Sequence, residues 1–144
     1  MDEAVNREER INDNITELIA REKNDPVASF LGMSMQELSP GYARIAMEVK
    51  PEYLNFQGLV FGGIIMALAD QAFGYGCNSI YYPSVATQFN THILAAAQTG
   101  DRLIAECRVV KSGRRVGLSE ITVTNQEGKL IAKATGTSIP AGEQ

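Results

Sequence analysis

The chain contains 144 residues, with 13 Lys or Arg, 17 Asp or Glu and a formal net charge of −4. This length fits one domain that can bury a hydrophobic core. The acidic balance argues against nucleic-acid binding by phosphate neutralisation, although small basic clusters could still hold a small anionic ligand. Charge is also uneven, since residues 53–100 contain only one charged side chain, Asp70. We therefore expect residues 53–100 to be buried and Asp70 to have a specific role.

The uncharged apolar run before Asp70, residues 59–69, is too short to span a bilayer. The first ten residues lack the cationic-then-apolar order of a signal peptide, so we expect a cytoplasmic protein without a membrane or nucleic-acid partner. Cys77 and Cys107 match neither a zinc-ligand spacing nor a redox pair, and we expect buried free thiols. His92 is the single histidine, which excludes a multi-histidine metal site within one chain. We therefore predict no metal site.

The first predicted element is a helix over residues 4–23, where apolar residues recur at helical spacing between charges. These apolar residues are Ile11, Ile15, Leu18 and Ile19. The sequence Asn24-Asp25-Pro26 is expected to end the helix. We expect an amphipathic helix that lies on the domain, and a solvated, partly frayed arm is the alternative. The predicted organisation is thus an N-terminal helix or arm over residues 1–25, followed by a single domain over residues 26–144.

Two short strands are predicted next, over residues 33–38 and 42–50, because apolar and charged residues alternate in the second. The sequence Ser39-Pro40-Gly41 joins them as a hairpin. Residues 51–61 are typical of a loop. Residues 62–78 are apolar nearly all round and predict a helix that is buried on every face. Gly74 and Gly76 in this helix would permit close approach by neighbouring elements, including a second subunit.

Four more predicted strands complete the chain, separated by turns rich in Gly, Asn, Asp and Ser. They cover residues 85–94, 103–109, 115–124 and 129–139. The order is helix, two strands, a buried helix and four strands. This order predicts an α+β fold in which an antiparallel sheet packs against one long hydrophobic helix.

Two features before and within the apolar helix could carry chemistry. The sequence Phe61-Gly62-Gly63 lies at the helix start, where backbone N–H groups have no intrahelical partner and the helix dipole favours a negative oxygen. Asn55, in the preceding loop, could add a side-chain donor to such an oxyanion site. Glycines required only by tight packing are the alternative explanation.

Asp70 is eight residues beyond Gly62, about 12 Å along the helix at a rise of about 1.5 Å per residue. That is too far for the two to act on one carbonyl within a chain, but antiparallel helices of a symmetric dimer would bring them together. Desolvation tends to raise the pKa of a carboxyl group toward the range useful for a base. The alternative is a structural role, in which Asp70 caps backbone groups or bonds Gln71 or Asn78.

The pattern across residues 55–79 resembles the hotdog-fold acyl-CoA thioesterases, and among them the phenylacetic-acid-degradation (PaaI-like) group. That group shows Asn-x-x-Gly-x-x-His-Gly-Gly with an Asp nine residues after the His. Here Asn55, Gly58, Gly62 and Gly63 match, and Asp70 lies nine residues after Phe61. The resemblance covers residues 30–140 and implies a hotdog fold, with an antiparallel sheet around one long helix.

The resemblance also implies a function and an assembly. The implied activity is hydrolysis of an acyl-CoA thioester, in which coenzyme A is part of the substrate and no other cofactor is needed. Gly62 would donate the oxyanion-hole amide, and Asn55 would polarise the carbonyl or hold the water. Asp70 of the facing subunit would act as general base or nucleophile. The implied assembly is a homodimer with one continuous sheet, often paired into a homotetramer.

Two positions depart from the family pattern. Phe61 replaces the His and cannot form a hydrogen bond. Ala86 occupies the place where some relatives carry a Ser or Thr that assists the water, with Thr87 beside it. The loss of one such group raises a barrier by about 1–3 kcal/mol. A lower rate, a different acyl group or an altered catalytic route are the expected consequences.

Further residues are candidates for substrate binding, each with a structural alternative. Lys111, Arg114 and Arg115 surround the predicted 112–113 turn and suit the phosphates of coenzyme A, or form a solvated hairpin tip. Gly63 and the aromatic residues Phe56, Phe61, Phe73 and Tyr75 could shape an acyl pocket, although core packing is the simpler role for at least two of the aromatics. His92 is expected on a strand facing polar surroundings.

Three functions fit the sequence. The first is acyl-CoA hydrolysis. The second is a non-catalytic acyl-CoA-binding module, which the Phe61 replacement favours. The third is hydration or dehydration of an acyl chain, which is disfavoured because relatives with that activity place a His near the helix and His92 lies on a later strand.

Overall fold

The structure is a computed structural model that describes residues 2–142, apart from the side chain of Asp2. Met1 and the last two residues, which fall within the predicted domain ranges, lie outside the described residues. The helices are α1 (Asp2–Glu22), α2 (Pro26–Leu31) and α3 (Gly62–Asn78), with a short 3-10 turn at Pro51–Tyr53. The strands are β1 (Met33–Ser39), β2 (Tyr42–Glu48), β3 (Ser84–Ile93), β4 (Arg102–Ser112), β5 (Gly117–Thr124) and β6 (Leu130–Pro140). No helix in the described range is long and apolar enough to cross a bilayer.

The six strands form one antiparallel sheet in the order β1-β2-β4-β5-β6-β3. Helix α3 packs against one face of this sheet, mainly on β2, β4 and β5. Alternation places apolar side chains of the strands toward α3 and charged ones on the other face. The buried residues shared between the layers include Ile45, Met47, Leu68, Phe73, Leu103, Ile121 and Val123. This arrangement confirms the predicted α+β hotdog fold.

Helix α1 lies on the domain rather than extending as a free arm. Leu18 is buried and Ile15 is half-buried, whereas Ile19 is 45% exposed and does not belong to the packed face. The side-chain amide of Asn14 donates to the carbonyl of Ile80 at 3.2 Å, which fastens the helix to the end of the apolar segment. The amphipathic pattern therefore predicted this contact correctly.

The sequence interpretation missed helix α2. Asp25 does end α1, but it also caps the next helix, since its Oδ1 accepts the N–H of Ala28 at 3.2 Å. Pro26 occupies the first helical position, and Gly32 closes the helix with a φ of 72°. An Asp followed by Pro is a typical helix start, so the signal was present and was interpreted only as an end.

The turns follow the predicted residues, with one shift. Pro40 and Gly41 join β1 to β2, and Gly41 has a φ of 73°, which favours glycine. The β4–β5 connection is longer than predicted, because the N–H of Gly113 donates to the carbonyl of Val116 at 3.1 Å. Strand β5 therefore begins at Gly117 instead of at residue 115.

The prediction that the apolar helix is buried on every face is wrong for the single chain. One side of α3 packs on the sheet, but Met66 is 40% exposed and Asp70 is also exposed. Strand β3, the sheet edge next to this open side, exposes Val85 (49%) and Ile93 (47%). Low charge in residues 53–100 therefore reflects an apolar surface as well as a core.

Candidate active site

The loop before α3 is held together by Asn55. Its Oδ1 accepts the N–H groups of Gln57 at 2.9 Å and Leu59 at 3.2 Å, and its own N–H donates to the carbonyl of Leu59 at 2.7 Å. Because the side-chain oxygen is engaged by two donors, the side-chain NH₂ faces away from the loop's own amides. No bond from that NH₂ occurs within residues 2–142. Asn55 thus has a free donor in a fixed orientation.

The amino terminus of α3 follows this loop. Phe61 is the cap residue and makes no side-chain capping bond. The N–H of Ile64 donates to the carbonyl of Phe61 at 2.9 Å, whereas the N–H groups of Gly62 and Gly63 have no acceptor in the described chain. Two free amides at the positive end of a 17-residue helix form a place where a negative oxygen is stabilised.

Close contacts explain the glycines at this terminus. A Cβ at Gly62 would lie 2.9 Å from Cδ1 of Ile93 on β3, and a Cβ at Gly63 would lie 2.6 Å from Cε1 of Phe61. The Phe61 side chain, 56% exposed, therefore covers Gly63. Tight packing and free amides are both present, so the two explanations offered by the sequence are compatible.

Asp70 lies on the open side of α3 and is exposed in the single chain, not buried as predicted, because no other part of the described chain covers that side. Its carboxylate makes no hydrogen bond or ion pair within the described chain, so the structural roles considered for it find no support. Asn78 bonds Gly74 and Ser84, and Gln71 bonds Asp25. Partial desolvation by the surrounding protein raises the pKa of the Asp70 carboxyl group above its ordinary value.

The residues expected beside the attacking water lie at the start of β3. Ala86 pairs with Ser138 and is exposed, and it has no hydroxyl group to offer. The hydroxyl of Thr87 lies 2.9 Å from that of Thr137. The buried neighbours of Thr137 on β6, Gly136 and Ser138, face the opposite side of the sheet, where a Cβ at Gly136 would meet Phe73 of α3. Thr87 therefore points away from the α3 side of the sheet.

Phe73 is part of the core. It is 1% exposed, its ring lies 5.6 Å from that of Phe89, and a Cβ at Gly136 would approach the ring to 2.7 Å. This placement favours core packing over a role in the acyl pocket. Phe56, in contrast, is 96% exposed on the loop before α3.

The basic hairpin lies far from the free amides within one chain. Lys111 borders a small cleft with Cys77 and Ser84, at the carboxyl end of α3 and the start of β3. Gly62 lies against Ile93 at the opposite end of β3. Ile93 is nine residues after Ser84, which is about 30 Å in an extended strand. Lys111, Arg114 and Arg115 are exposed, and none forms an ion pair within the described residues.

A groove of about 1120 Å³ lies between α1 and the Tyr81–Tyr82 segment, away from Asp70. Arg7, Arg10 and Arg114 line it, together with Glu3 and Glu8. Because the two signs of charge nearly balance and Asp70 is not among the lining residues, this groove is not a candidate for the reacting carbonyl.

The other predicted polar residues are accounted for by structure. His92 is exposed on β3 and pairs with Lys133, as expected. Cys77 and Cys107 are buried free thiols, and burial raises their pKa values to about 11 and about 12. Neither thiol is therefore a nucleophile at neutral pH.

One cluster near the site was not predicted. Oδ2 of Asp25 accepts hydrogen bonds from Nε2 of Gln71 and from the hydroxyl of Tyr75, both at 2.7 Å. Burial acts to raise the pKa of Asp25, but these bonds and those from backbone amides outweigh it and lower the pKa. Burial, and then the hydrogen bond to Asp25, raise the pKa of the Tyr75 hydroxyl. Nothing in the spacing of Asp25 and Gln71, 46 residues apart, indicates this contact.

Comparison with known proteins agrees with this geometry. The family model of the thioesterase superfamily matches residues 57–132. A putative esterase of Archaeoglobus fulgidus is 37% identical over 115 residues, covering 80% of this chain and 75% of the relative. The acyl-coenzyme A thioesterase PaaI of Escherichia coli is 34% identical over 116 residues, covering 81% and 83%.

Solved structures give the same result. The structure of the Escherichia coli PaaI protein aligns with a TM-score of 0.86 at 31% identity, covering 91% of this chain and 96% of that one. A Streptococcus mutans protein bound to acetyl CoA aligns with a TM-score of 0.74 at 32% identity, covering 78% and 90%. The chain belongs to the thioesterase superfamily and is a PaaI-like hotdog thioesterase.

Proposed function

We propose that this protein hydrolyses an acyl-CoA thioester to a free acid and coenzyme A. The observation that carries the proposal is the free amide of Gly62 at the start of α3. It follows the loop held by Asn55, whose NH₂ is free, and it lies on the same helix as the unpaired Asp70. The thioesterase name of the Escherichia coli relative and the acetyl CoA bound to the Streptococcus mutans protein support this substrate class.

In the proposed mechanism, the N–H of Gly62 and the NH₂ of Asn55 donate to the thioester oxygen, which becomes negative as the carbonyl carbon is attacked. Asp70 of the facing subunit removes a proton from water, whose oxygen bonds to that carbon. The C–S bond then breaks, and the coenzyme A thiolate takes up a proton. Direct attack by the Asp70 carboxylate to form an anhydride, followed by hydrolysis, is the alternative route to the same products.

This mechanism requires a dimer, since Gly62 and Asp70 lie about 12 Å apart along one helix. The open side of α3 and the free edge of β3 support such an assembly, because exposed strand edges and apolar patches are typical of interfaces. Antiparallel pairing of β3 with its copy would also bring the partner's basic hairpin from one end of β3 to the Gly62 end. Lys111, Arg114 and Arg115 could then hold the phosphates of coenzyme A.

The first test compares wild type with Asp70→Asn by following free thiol release from a panel of acyl-CoAs. We expect turnover by wild type and a loss of at least about 100-fold in Asp70→Asn, the scale of general-base catalysis. Asp13→Asn, on the exposed side of α1, is the matched control and should keep the wild-type rate. Equal rates for Asp70→Asn and wild type would remove Asp70 from the mechanism.

The second test asks whether the site is shared between subunits. Asp70→Asn and Asn55→Ala chains, each inactive alone, are unfolded together and refolded as a mixture. Random pairing gives one intact site in half of the dimers, so about one quarter of wild-type activity should return. No recovery, or a stable monomer at micromolar concentration in sedimentation, would contradict a cross-subunit site.

A non-catalytic acyl-CoA-binding module remains the second candidate function. The observation that favours it is the Phe61 ring over Gly63, where a hydrogen-bonding side chain is missing. Tight binding of acyl-CoA without turnover of any tested acyl chain would select this function, and rapid turnover would exclude it.

A further inference from the structure

Gly74 is the glycine whose presence the fold does not explain. It lies inside α3, where glycine costs about 1 kcal/mol relative to alanine. Its φ is not positive, and an added Cβ would meet nothing within 4 Å. Gly76 differs, since a Cβ there would lie 2.6 Å from Sγ of Cys107. The absence of a side chain at residue 74 therefore keeps a space open instead of permitting a contact.

That space is part of a groove of about 450 Å³ between α3 and the α1–α2 junction. Its lining comprises the apolar and aromatic residues Leu18, Pro26, Gly74, Tyr75 and Tyr82 and the polar residues Arg21, Asn24, Asp25, Gln71 and Asn78. The volume lies within the range of small-molecule sites, about 300–1000 Å³.

Most polar side chains around the groove already have partners. Arg21 donates to Glu17 at 2.8 Å, and among the charged and amide side chains of the groove only Asn24 shows no hydrogen bond within the described residues. Gln71 and Tyr75 both donate to Asp25. The Asn78 side chain donates to the carbonyls of Gly74 and Ser84 and accepts the N–H of Ser84. With these polar atoms satisfied, the groove offers mainly carbon surface to a ligand, which suits a hydrocarbon chain better than a polar group.

The groove reaches to within about one helical turn of the proposed base. Gly74 is four residues after Asp70, so both lie on the same side of α3, about 6 Å apart along the helix axis. A substrate whose carbonyl carbon lies at Asp70 can therefore extend its acyl group over Gly74 toward Tyr82.

We propose that this groove binds the acyl chain of the substrate and that Gly74 sets the chain length that fits. The inference rests on the proposed function, because it places the thioester at Asp70. It makes α1 and α2 a wall of the substrate site, so the N-terminal segment contributes to specificity as well as to stability.

The test replaces Gly74 with leucine and measures kcat/KM for acetyl-CoA and decanoyl-CoA. Each buried methylene changes affinity by about fourfold, so exclusion of three methylenes by the leucine side chain should lower the decanoyl-CoA value by about 60-fold. Acetyl-CoA should change by less than about threefold, because its methyl group does not reach the groove. Ala20→Leu, on the exposed side of α1 and outside the groove, is the control and should leave both values unchanged.

A second variant and a second measurement keep the outcome clear. Gly74→Ala should fold at least as stably as wild type and lower the decanoyl-CoA value by about fourfold. Calorimetric Kd values for both acyl-CoAs, measured in an Asp70→Asn background, report the groove even if wild type shows no turnover. If wild type shows no turnover but the Gly74 variants still change Kd in a way that depends on acyl-chain length, only the proposed hydrolysis is refuted.

An unchanged ratio of decanoyl-CoA to acetyl-CoA in Gly74→Leu and Gly74→Ala, in both kcat/KM and Kd, would overturn the inference. So would the absence of any acyl-CoA binding by wild type. Dissociation of the assembly by Gly74→Leu in sedimentation, with an unchanged ratio, would overturn it as well and would assign the space to a second copy of the chain.

Discussion

Phe61→His introduces a hydrogen-bonding side chain at the start of α3. Phe61 is 56% exposed, so less than half of its side-chain surface is buried and can be lost by the substitution. With about 1.5–3 kcal/mol for complete burial, the stability loss should be only about 0.7–1.3 kcal/mol. The imidazole would lie beside the free amides of Gly62 and Gly63, where it can donate to a developing oxyanion.

A hydrogen bond to a charged group contributes about 1.5–3 kcal/mol, and about 1.4 kcal/mol corresponds to a tenfold rate change. We therefore expect kcat/KM of Phe61→His to rise by about 10- to 100-fold in the thiol-release assay. Phe56→His is the matched control, because Phe56 is 96% exposed in the same loop and should show no gain. An unchanged or lower kcat/KM in a folded Phe61→His protein would refute the view that a missing donor at residue 61 limits the rate.

Three further substitutions test packing and titration. Gly76→Ala should lower the free energy of unfolding in urea by about 1–3 kcal/mol, because its Cβ would lie 2.6 Å from Sγ of Cys107. If Gly76→Ala were as stable as Gly74→Ala, this contact would be contradicted. Asp70→Asn should raise Tm at pH 7, because a carboxyl group whose pKa is raised in the folded state destabilises the fold when it is ionised. This gain in Tm should vanish as the pH falls below about 4, where the carboxyl group is protonated in both the folded and the unfolded chain. Asp25→Asn should lower stability at pH 7 by about 1–2 kcal/mol, because the lowered pKa of Asp25 means that its ionised form stabilises the fold. That loss should shrink as the pH falls through the folded-state pKa, and a pH-independent difference would argue against it.

Sequence periodicity was sufficient to predict the sheet and the long helix, because each has one face on a shared core and the pattern records that face. The prediction that the apolar face of α1 packs on the domain was likewise correct around Leu18, which is buried. The ends of elements were less predictable, since they depend on single hydrogen bonds. The bond between Gly113 and Val116 moved the start of β5, and the capping bond of Asp25 created α2.

The candidate site was predictable only where its residues are close in sequence. Asn55 and Gly62 lie seven residues apart, and the loop between them folds on itself through Asn55. The bond from Gln71 to Asp25 joins residues 46 positions apart and has no local signal. The exposure of Asp70 was also unpredictable, because an apolar sequence records that a surface is protected from water and does not record whether the same chain or another one covers it.

The low charge of residues 53–100 therefore indicates a surface that a second chain could cover, and not only a core. A core needs no explanation for the absence of charge, but Met66 on α3 and Val85 and Ile93 on the edge strand β3 are exposed apolar side chains. Covering such a surface with a second chain would remove more water from Asp70, and desolvation already raises the pKa of that carboxyl group. The proposed assembly would therefore complete the site and tune its base in one step, since the contact that brings Asp70 to Gly62 is also the contact that dehydrates it. The proposed contact between two subunits would also explain the low charge of residues 53–100 and the open side of α3 together, and it would add to the raised pKa of Asp70.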